Sequence, residues 1–189
     1  MSEKVLRILM RLFAKLALLD EVTEEEVEVV RAFLEEHLNS ADVPAQMELF
    51  HQYANDGEEI DVQAFCTEIA RELSLRQQYI IALHLLELIH ADGIVSEGEV
   101  EFWKKVEAAF KMDPVEVVAM TAFVGAQEVE QLPLEALRVS DTGANVPTGA
   151  RYLQAPVQGM IAVLNLGQGA FYLLKYFGNE YLQLNHQYI

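Results

Sequence analysis

Three helix-start signals constrain the fold of this chain more than any other feature. In each, a Ser or Thr is followed three residues later by Glu or Gln: Thr23–Glu26, Ser74–Gln77 and Ser96–Glu99. This pattern is a capping box, in which the two side chains satisfy backbone N–H groups that the first turn of a helix leaves unpaired. Apolar residues then recur every three or four positions, which is typical of a helix with one buried face. The front of the chain is therefore predicted to be all-helical.

Seven helices are predicted before residue 125. The first runs from about Glu3 to Leu18, and the others begin near Thr23, Asp42, Asp61, Ser74, Ser96 and Asp113. The third is expected to be capped by Asp42 and to end before Asn55. The fifth is apolar nearly all round, which favours a central position in a bundle. Short connections favour antiparallel packing of neighbouring helices.

The charge distribution and a change of period indicate two domains. Residues 1–125 carry 25 acidic and 10 basic side chains, whereas residues 126–189 carry 5 and 3. After Pro133, short apolar runs predict strands at 137–140, 159–166, 170–177 and 180–184, with a loop at 141–149. We therefore predict a helical domain at 1–125, a linker at 126–135 and a β segment at 136–189. Four strands leave open edges and a thin core, so the β segment is expected to be the start of a second domain in a longer protein.

The composition excludes several classes of partner. A net charge of −17 argues against nucleic acid and against direct docking on an anionic membrane surface, and it favours cations or basic partners. The apolar stretches at 79–91 and 156–174 are too short or too interrupted by glycine to suit a membrane-spanning helix. A single cysteine, Cys66, forms no disulfide framework and suggests a reducing, cytoplasmic setting.

Two segments of the helical domain look like repeats of one another. Residues 16–30 and residues 88–102 each end an apolar helix, place an aspartate in the turn (Asp20 and Asp92), and start a capped helix with glutamate at its third position (Glu26 and Glu99). The second turn is one residue longer. A pseudo-symmetric bundle of two helix–turn–helix units is predicted.

The run from Ala91 to Glu99, Ala-Asp-Gly-Ile-Val-Ser-Glu-Gly-Glu, resembles the signature of the tellurite-resistance TerB-like domain. The resemblance covers about residues 5–125. It implies an all-helical bundle associated with metal binding and with stress-linked or membrane-linked regulatory complexes. TerB-like domains also stand at the front of some J-domain co-chaperones and some bacterial ATP-binding-cassette proteins, and the order of helices and strands here looks like the latter. Any ATPase would lie beyond Ile189, because the chain has no Walker A motif.

The resemblance carries family acidic residues onto Asp20, Glu26, Asp92 and Glu99. Oxygen ligands of this kind suit calcium or magnesium, so these four residues are the candidate site for a divalent cation. The alternative is purely local: the glutamates close capping boxes and the aspartates stabilise turns. Glu21 stands where the family often has glycine, which weakens the first half of the site.

Other chemistry-bearing residues have weaker patterns. Glu48-x-x-His51 and Glu87-x-x-His90 have the spacing found in di-iron carboxylate bundles, which is the one enzyme hypothesis that the sequence raises. Cys66 and His84 lie on apolar helix faces. Cys66 is expected to be an inert interior thiol, and His84 an interior or interface group rather than a ligand.

The sequence thus predicts a non-catalytic regulatory or sensing module that binds a divalent cation, a protein partner or both. It is expected in the cytoplasm, within a stress-response or transport-associated protein that reaches the inner face of the membrane through a larger complex or a downstream domain. The alternative is a metal-free scaffold for protein contacts. The sequence does not define the oligomeric state.

Overall fold

The computed structural model describes residues 2–126 and 131, together with the backbone of strand residues 137–140, 160–165, 172–177 and 184–186. The chain divides into two compact units, Met1–Met112 and Asp113–Ile189. The described part is mainly helical and contains seven helices, which confirms the predicted fold class. The predicted boundary near residue 125 stays a prediction.

The first unit contains six helices. Their bounds are α1 Glu3–Ala17, α2 Glu24–His37, α3 Val43–Asp56, α4 Val62–Ala70, α5 Leu75–Ile89 and α6 Glu97–Phe110. All three predicted capping boxes are formed, at the starts of α2, α5 and α6. The sequence therefore sets these helix starts through short-range hydrogen bonds between a Ser or Thr and the residue three positions on.

Two helices occupy the centre of this unit. α1 buries ten of its 15 residues and α5 buries nine of 15. α1 packs against α3, α4 and α5, whereas α5 packs against α1, α2 and α6. The prediction that α5 is central holds, but it shares the position with α1, whose apolar stripe is wide enough to contact three neighbours.

The two predicted repeat units have matching local structure. α1 is followed by the turn at 18–23 and the capped helix α2, and α5 is followed by the turn at 90–96 and the capped helix α6. The second turn is one residue longer, and Gly93 within it has a φ of 80°. That backbone conformation favours glycine over residues with a Cβ. The first turn has Glu21 at the corresponding position.

The third helix departs from the prediction at both ends. Asp42 occupies the N-cap position, but its backbone is helical (φ −91°, ψ −22°) and its side chain makes no capping hydrogen bond. A capping side chain needs an extended backbone at the N-cap, so it is the conformation of Asp42 that prevents the bond. At the other end, α3 continues to Asp56 and stops at Gly57, which adopts a left-handed conformation.

The second unit begins with α7, Pro114–Gly125, whose N-cap residue Asp113 accepts a hydrogen bond from the N–H of Val115. Four antiparallel strands follow in the order β1-β2-β3-β4: Leu137–Ser140, Met160–Asn165, Tyr172–Phe177 and Leu184–His186. The four predicted strand segments overlap these. The predicted loop at 141–149, and the predicted linker apart from Ala126 and Gln131, lie outside the described residues.

Candidate functional site

The candidate acidic site is built on the first turns of α2 and α6. At α2, the N–H of Thr23 donates to Glu26 Oε2 at 2.8 Å, and the N–H of Glu26 donates to Thr23 Oγ1 at 3.2 Å. At α6, the N–H of Ser96 donates to Glu99 Oε2 at 2.7 Å, and the N–H of Glu99 donates to Ser96 Oγ at 3.2 Å. One oxygen of each carboxylate is thereby fixed in place by the backbone.

The two glutamates are the unusual members of these boxes because both are buried. Glu26 is 3% exposed and Glu99 is 2% exposed, and with His84 they are the buried polar or charged residues of the described chain. Gln77 closes the equivalent box at α5 and is exposed. A capping box therefore requires neither burial nor a negative charge at its third helical position. Burial and negative charge at Glu26 and Glu99 are therefore additional to what the capping hydrogen bonds need.

The turn before α2 lies against the start of α6. Leu19 Cβ is 3.5 Å from the point where a Cβ on Gly98 would stand. This contact places Asp20, the next residue in the turn, beside the end of α6 that carries Glu99. In the second turn, Asp92 Oδ1 accepts a hydrogen bond of 2.9 Å from the N–H of Ile94, which fixes that exposed aspartate.

Each of the two buried glutamates lies within electrostatic reach of further acidic side chains: Glu26 of Asp20 and Glu99, and Glu99 of Asp20 and Asp92. Burial raises the pKa of Glu26, and the negative charges of Asp20 and Glu99 raise it further, against the opposing hydrogen bonds from Thr23. Burial likewise raises the pKa of Glu99, and the charges of Asp20 and Asp92 add to this against the hydrogen bonds from Ser96. The predicted site residues are thus gathered from both repeats. Their role as metal ligands stays a prediction.

Basic side chains do not neutralise this cluster within the described residues. None of the Lys and Arg ion pairs found there includes Asp20, Glu26, Asp92 or Glu99. The cluster offers carboxylate oxygens, which are ligands for hard cations such as calcium and magnesium. The carboxylates are not preassembled around one point, because the group of described residues whose ligand atoms all lie within 4.8 Å of one another is elsewhere, at Glu36, His37 and His84.

The residues of the di-iron hypothesis have different surroundings. Glu48 and His51 are both exposed on α3. Glu87 lies on α5, but its Oε2 is 2.8 Å from Nδ1 of His84, three residues before it. His84 is predicted from sequence as an interior or interface group, and Glu36 and His37 are not among the predicted ligands. The sequence gives little sign of this group, because His37 and His84 stand 47 positions apart and meet only through the packing of α2 on α5.

Cys66 has the properties expected of an interior thiol. It is 0% exposed, and burial raises the pKa of its thiol to about 12. The thiolate form required of a nucleophile or metal ligand is therefore negligible at neutral pH.

These observations define an acidic helical domain with paired capped turns, and the family follows from comparison with known proteins. The model of the family described as tellurite resistance protein TerB matches residues 7–122. The chain therefore belongs to the TerB family. No curated protein and no solved structure matches it. The ATP-binding-cassette context stays a prediction. None of the described helices has the length and apolar character needed to cross a membrane.

Proposed function

We propose that the helical domain is a non-catalytic regulatory or sensing module whose acidic site binds a divalent cation, calcium or magnesium. Its ligands would be Asp20, Glu26, Asp92 and Glu99. The observation that carries this proposal is the burial of Glu26 and Glu99 beside further acidic groups and without a basic partner among the described residues. We place the module in the cytoplasm, as part of a stress-response or transport-associated protein.

The buried carboxylates of Glu26 and Glu99 have no Lys or Arg partner among the described residues. Burying a carboxylate disfavours its ionised form, and like charges nearby disfavour it further. Both effects raise the pKa of Glu26 and of Glu99. A bound divalent cation would reverse them, because it would attract all four carboxylates. Cation binding would therefore draw the two repeats together, and this coupling is how the module would sense the ion.

Calorimetric titration of the full chain with calcium and with magnesium tests the proposal. We expect one cation per chain, with a Kd of roughly 10⁻⁵ to 10⁻³ M, since few carboxylates and several waters supply the ligands. Asp20→Asn/Asp92→Asn should weaken binding about tenfold or more. Asparagine keeps the oxygen that accepts from the N–H of Ile94, so the turn should persist.

The matched control is Glu24→Gln/Glu25→Gln, which makes the same change in net charge at two exposed positions of α2. It should bind calcium as the wild type does. Flat titrations of the wild type, or equal weakening in both double variants, would refute the cation proposal.

A protein contact at the same end of the domain is a second candidate function. Large apolar side chains are exposed next to the acidic residues: Ile94 is 72% exposed, and Val22 and Val95 are also exposed. Apolar groups beside negative charge fit a basic, amphipathic segment of a partner. A fluorescent Lys/Leu helical peptide should bind the wild type, and Ile94→Ser should weaken it severalfold. Leu75→Ser, at an exposed apolar position of α5, is the control, and equal loss in both would count against this surface.

A further inference from the structure

A second cluster of ligand-type side chains lies between α2 and α5. Glu36 and His37 are the last two residues of α2, and His84 lies in the second half of α5. One ligand atom from each residue falls within 4.8 Å of the others. We propose that Glu36, His37 and His84 bind a divalent transition-metal ion of the zinc type. This site is separate from the acidic site and does not depend on the proposed function.

The distance between the imidazoles fits a shared metal. Nε2 of His37 is 3.5 Å from Nε2 of His84. Zinc–nitrogen bonds are 2.0–2.1 Å, so two imidazole nitrogens on a tetrahedral zinc ion stand about 3.4 Å apart. The same contact is at the long limit of a hydrogen bond between the two rings, whose usual distance is about 3.0 Å. The pair therefore needs only a small adjustment to bind zinc.

Glu87 orients the buried histidine for this role. His84 is 2% exposed, and its Nδ1 lies 2.8 Å from Glu87 Oε2. A proton on Nδ1 donated to the carboxylate leaves the lone pair of Nε2 on the side that faces His37. Metal-binding histidines usually donate their second ring nitrogen to a carboxylate in this way, which fixes the tautomer and strengthens the ligand. Glu87 is thus a positioning residue rather than a ligand.

Aromatic packing holds both imidazoles in place. The ring of Phe33 lies edge-on to both imidazoles, with centroid distances of 4.6 Å to His37 and 4.8 Å to His84. Phe13 of α1 packs edge-on against Phe33, with 5.1 Å between the ring centroids. Phe33 is 2% exposed. Because Phe33 fixes the two rings relative to one another, little conformational entropy would be lost when a metal binds.

The third ligand and the end of the helix complete the site. Glu36 is exposed, so its carboxylate can rotate toward the imidazoles without disturbing the core. Two imidazoles and one carboxylate form a known zinc donor set, with water in the fourth position. His37 is also the last residue of α2, where the negative end of the helix dipole favours a cation.

The test is a zinc titration of tag-free full-length chain by calorimetry, with His37→Ala and Glu36→Gln as the variants. We expect one zinc ion per wild-type chain and a loss of affinity of at least about tenfold in each variant. His51→Ala, which removes an exposed histidine on α3, is the matched control and should bind as the wild type does. Circular dichroism checks that each variant folds. Glu36→Gln changes only an exposed side chain and keeps the test valid if His37→Ala is unfolded.

Cobalt(II) provides a second readout because its visible absorption reports coordination geometry. The wild type should show the intense bands of a four-coordinate ion, and His37→Ala should lose them. Glu87→Gln should keep these bands but bind about 10–100-fold more weakly, as expected for a residue that acts through His84. Absence of zinc binding by the wild type would overturn the proposal, as would zinc binding that is unchanged in every one of the His37→Ala and Glu36→Gln variants that folds.

Discussion

The two ends of helix α2 gather different kinds of potential metal ligand. At its start, Glu26 joins the acidic cluster with Asp20, Asp92 and Glu99. At its end, roughly 16 Å away, His37 meets His84. The start offers only carboxylate oxygens, whereas the end offers two imidazole nitrogens and one carboxylate. Oxygen ligands favour calcium and magnesium, and imidazole favours zinc. One helix therefore carries two candidate sites with opposite metal preference.

The helix dipole acts differently at the two ends. At the start of α2, the positive end of the dipole and the backbone N–H groups stabilise a carboxylate and oppose a cation. A cation there must be attracted by several carboxylates together, including those from the other repeat. At the end of α2, the dipole itself favours a cation, so fewer charged ligands suffice. The first site thus depends on contact between the repeats, and the second depends on packing of α2 on α5.

The largest expected effect separates the two sites by substitution. Glu26→Gln/Glu99→Gln should lower calcium affinity about a hundredfold, since the two ligand charges that it removes are buried and act in a lower dielectric, and should leave zinc affinity unchanged. The capping boxes should survive, because Gln77 closes the box at α5. Calorimetry with each metal measures both affinities.

The converse substitution is the control for this result. Gln77→Glu places an acidic capping box at α5, away from the second acidic turn, and should create no calcium site. If it does, an acidic capping box alone is sufficient for binding. Loss of zinc affinity in the double glutamine variant would show that the two ends of α2 are not independent.

A smaller effect, on the free energy of unfolding, is expected when a capping hydroxyl is removed. Thr23 Oγ1 donates to the buried carboxylate of Glu26 at 3.2 Å, whereas Ser74 Oγ donates to the exposed amide of Gln77 at 2.9 Å. Thr23→Ala should cost about 2 kcal/mol of unfolding free energy, because a buried charge loses a donor. Ser74→Ala should cost about 1 kcal/mol. Urea unfolding followed by the fluorescence of Trp103 compares them, and equal losses would mean that the charge on Glu26 does not matter.

The smallest expected effect is a change in pH dependence. The pKa values of Glu26 and Glu99 are raised in the folded chain above the ordinary value of 4.5. Between that value and the raised values, the folded state binds more protons than the unfolded state. The contribution of these two carboxyl groups to the free energy of unfolding is therefore present in full below about pH 4.5, and it is lost as the pH rises through the raised pKa values.

Urea unfolding from pH 4 to pH 8, in buffer free of divalent cations, measures this contribution. The wild type should lose stability with rising pH relative to Glu26→Gln/Glu99→Gln. Glu72→Gln should change the pH dependence of stability in the opposite direction, because hydrogen bonds from Lys4 and Ser2 lower the pKa of Glu72 in the folded chain. Parallel pH profiles for the wild type and the double variant would contradict the raised pKa values.

The features that could be predicted from sequence are those set by short-range interactions. The capping boxes were predicted because each depends on two residues three positions apart, and the acidic cluster followed from a repeat and a family signature. The missing cap at Asp42 could not be predicted, because it depends on the backbone angles of that residue. The His37–His84 pair joins residues 47 positions apart, and an isolated histidine in an apolar helix gives no sign of its partner.

The contact between Leu19 and Gly98 has a consequence for the spacing of the two repeats. A methyl group at position 98 would make an ordinary van der Waals contact with Leu19, at 3.5 Å, so alanine fits there. A branched side chain, as in Gly98→Val, would collide with Leu19 and force the first turn away from α6. The limited space at this one position, which admits a methyl group but nothing larger, thus restricts how far the carboxylates of one half are held from those of the other.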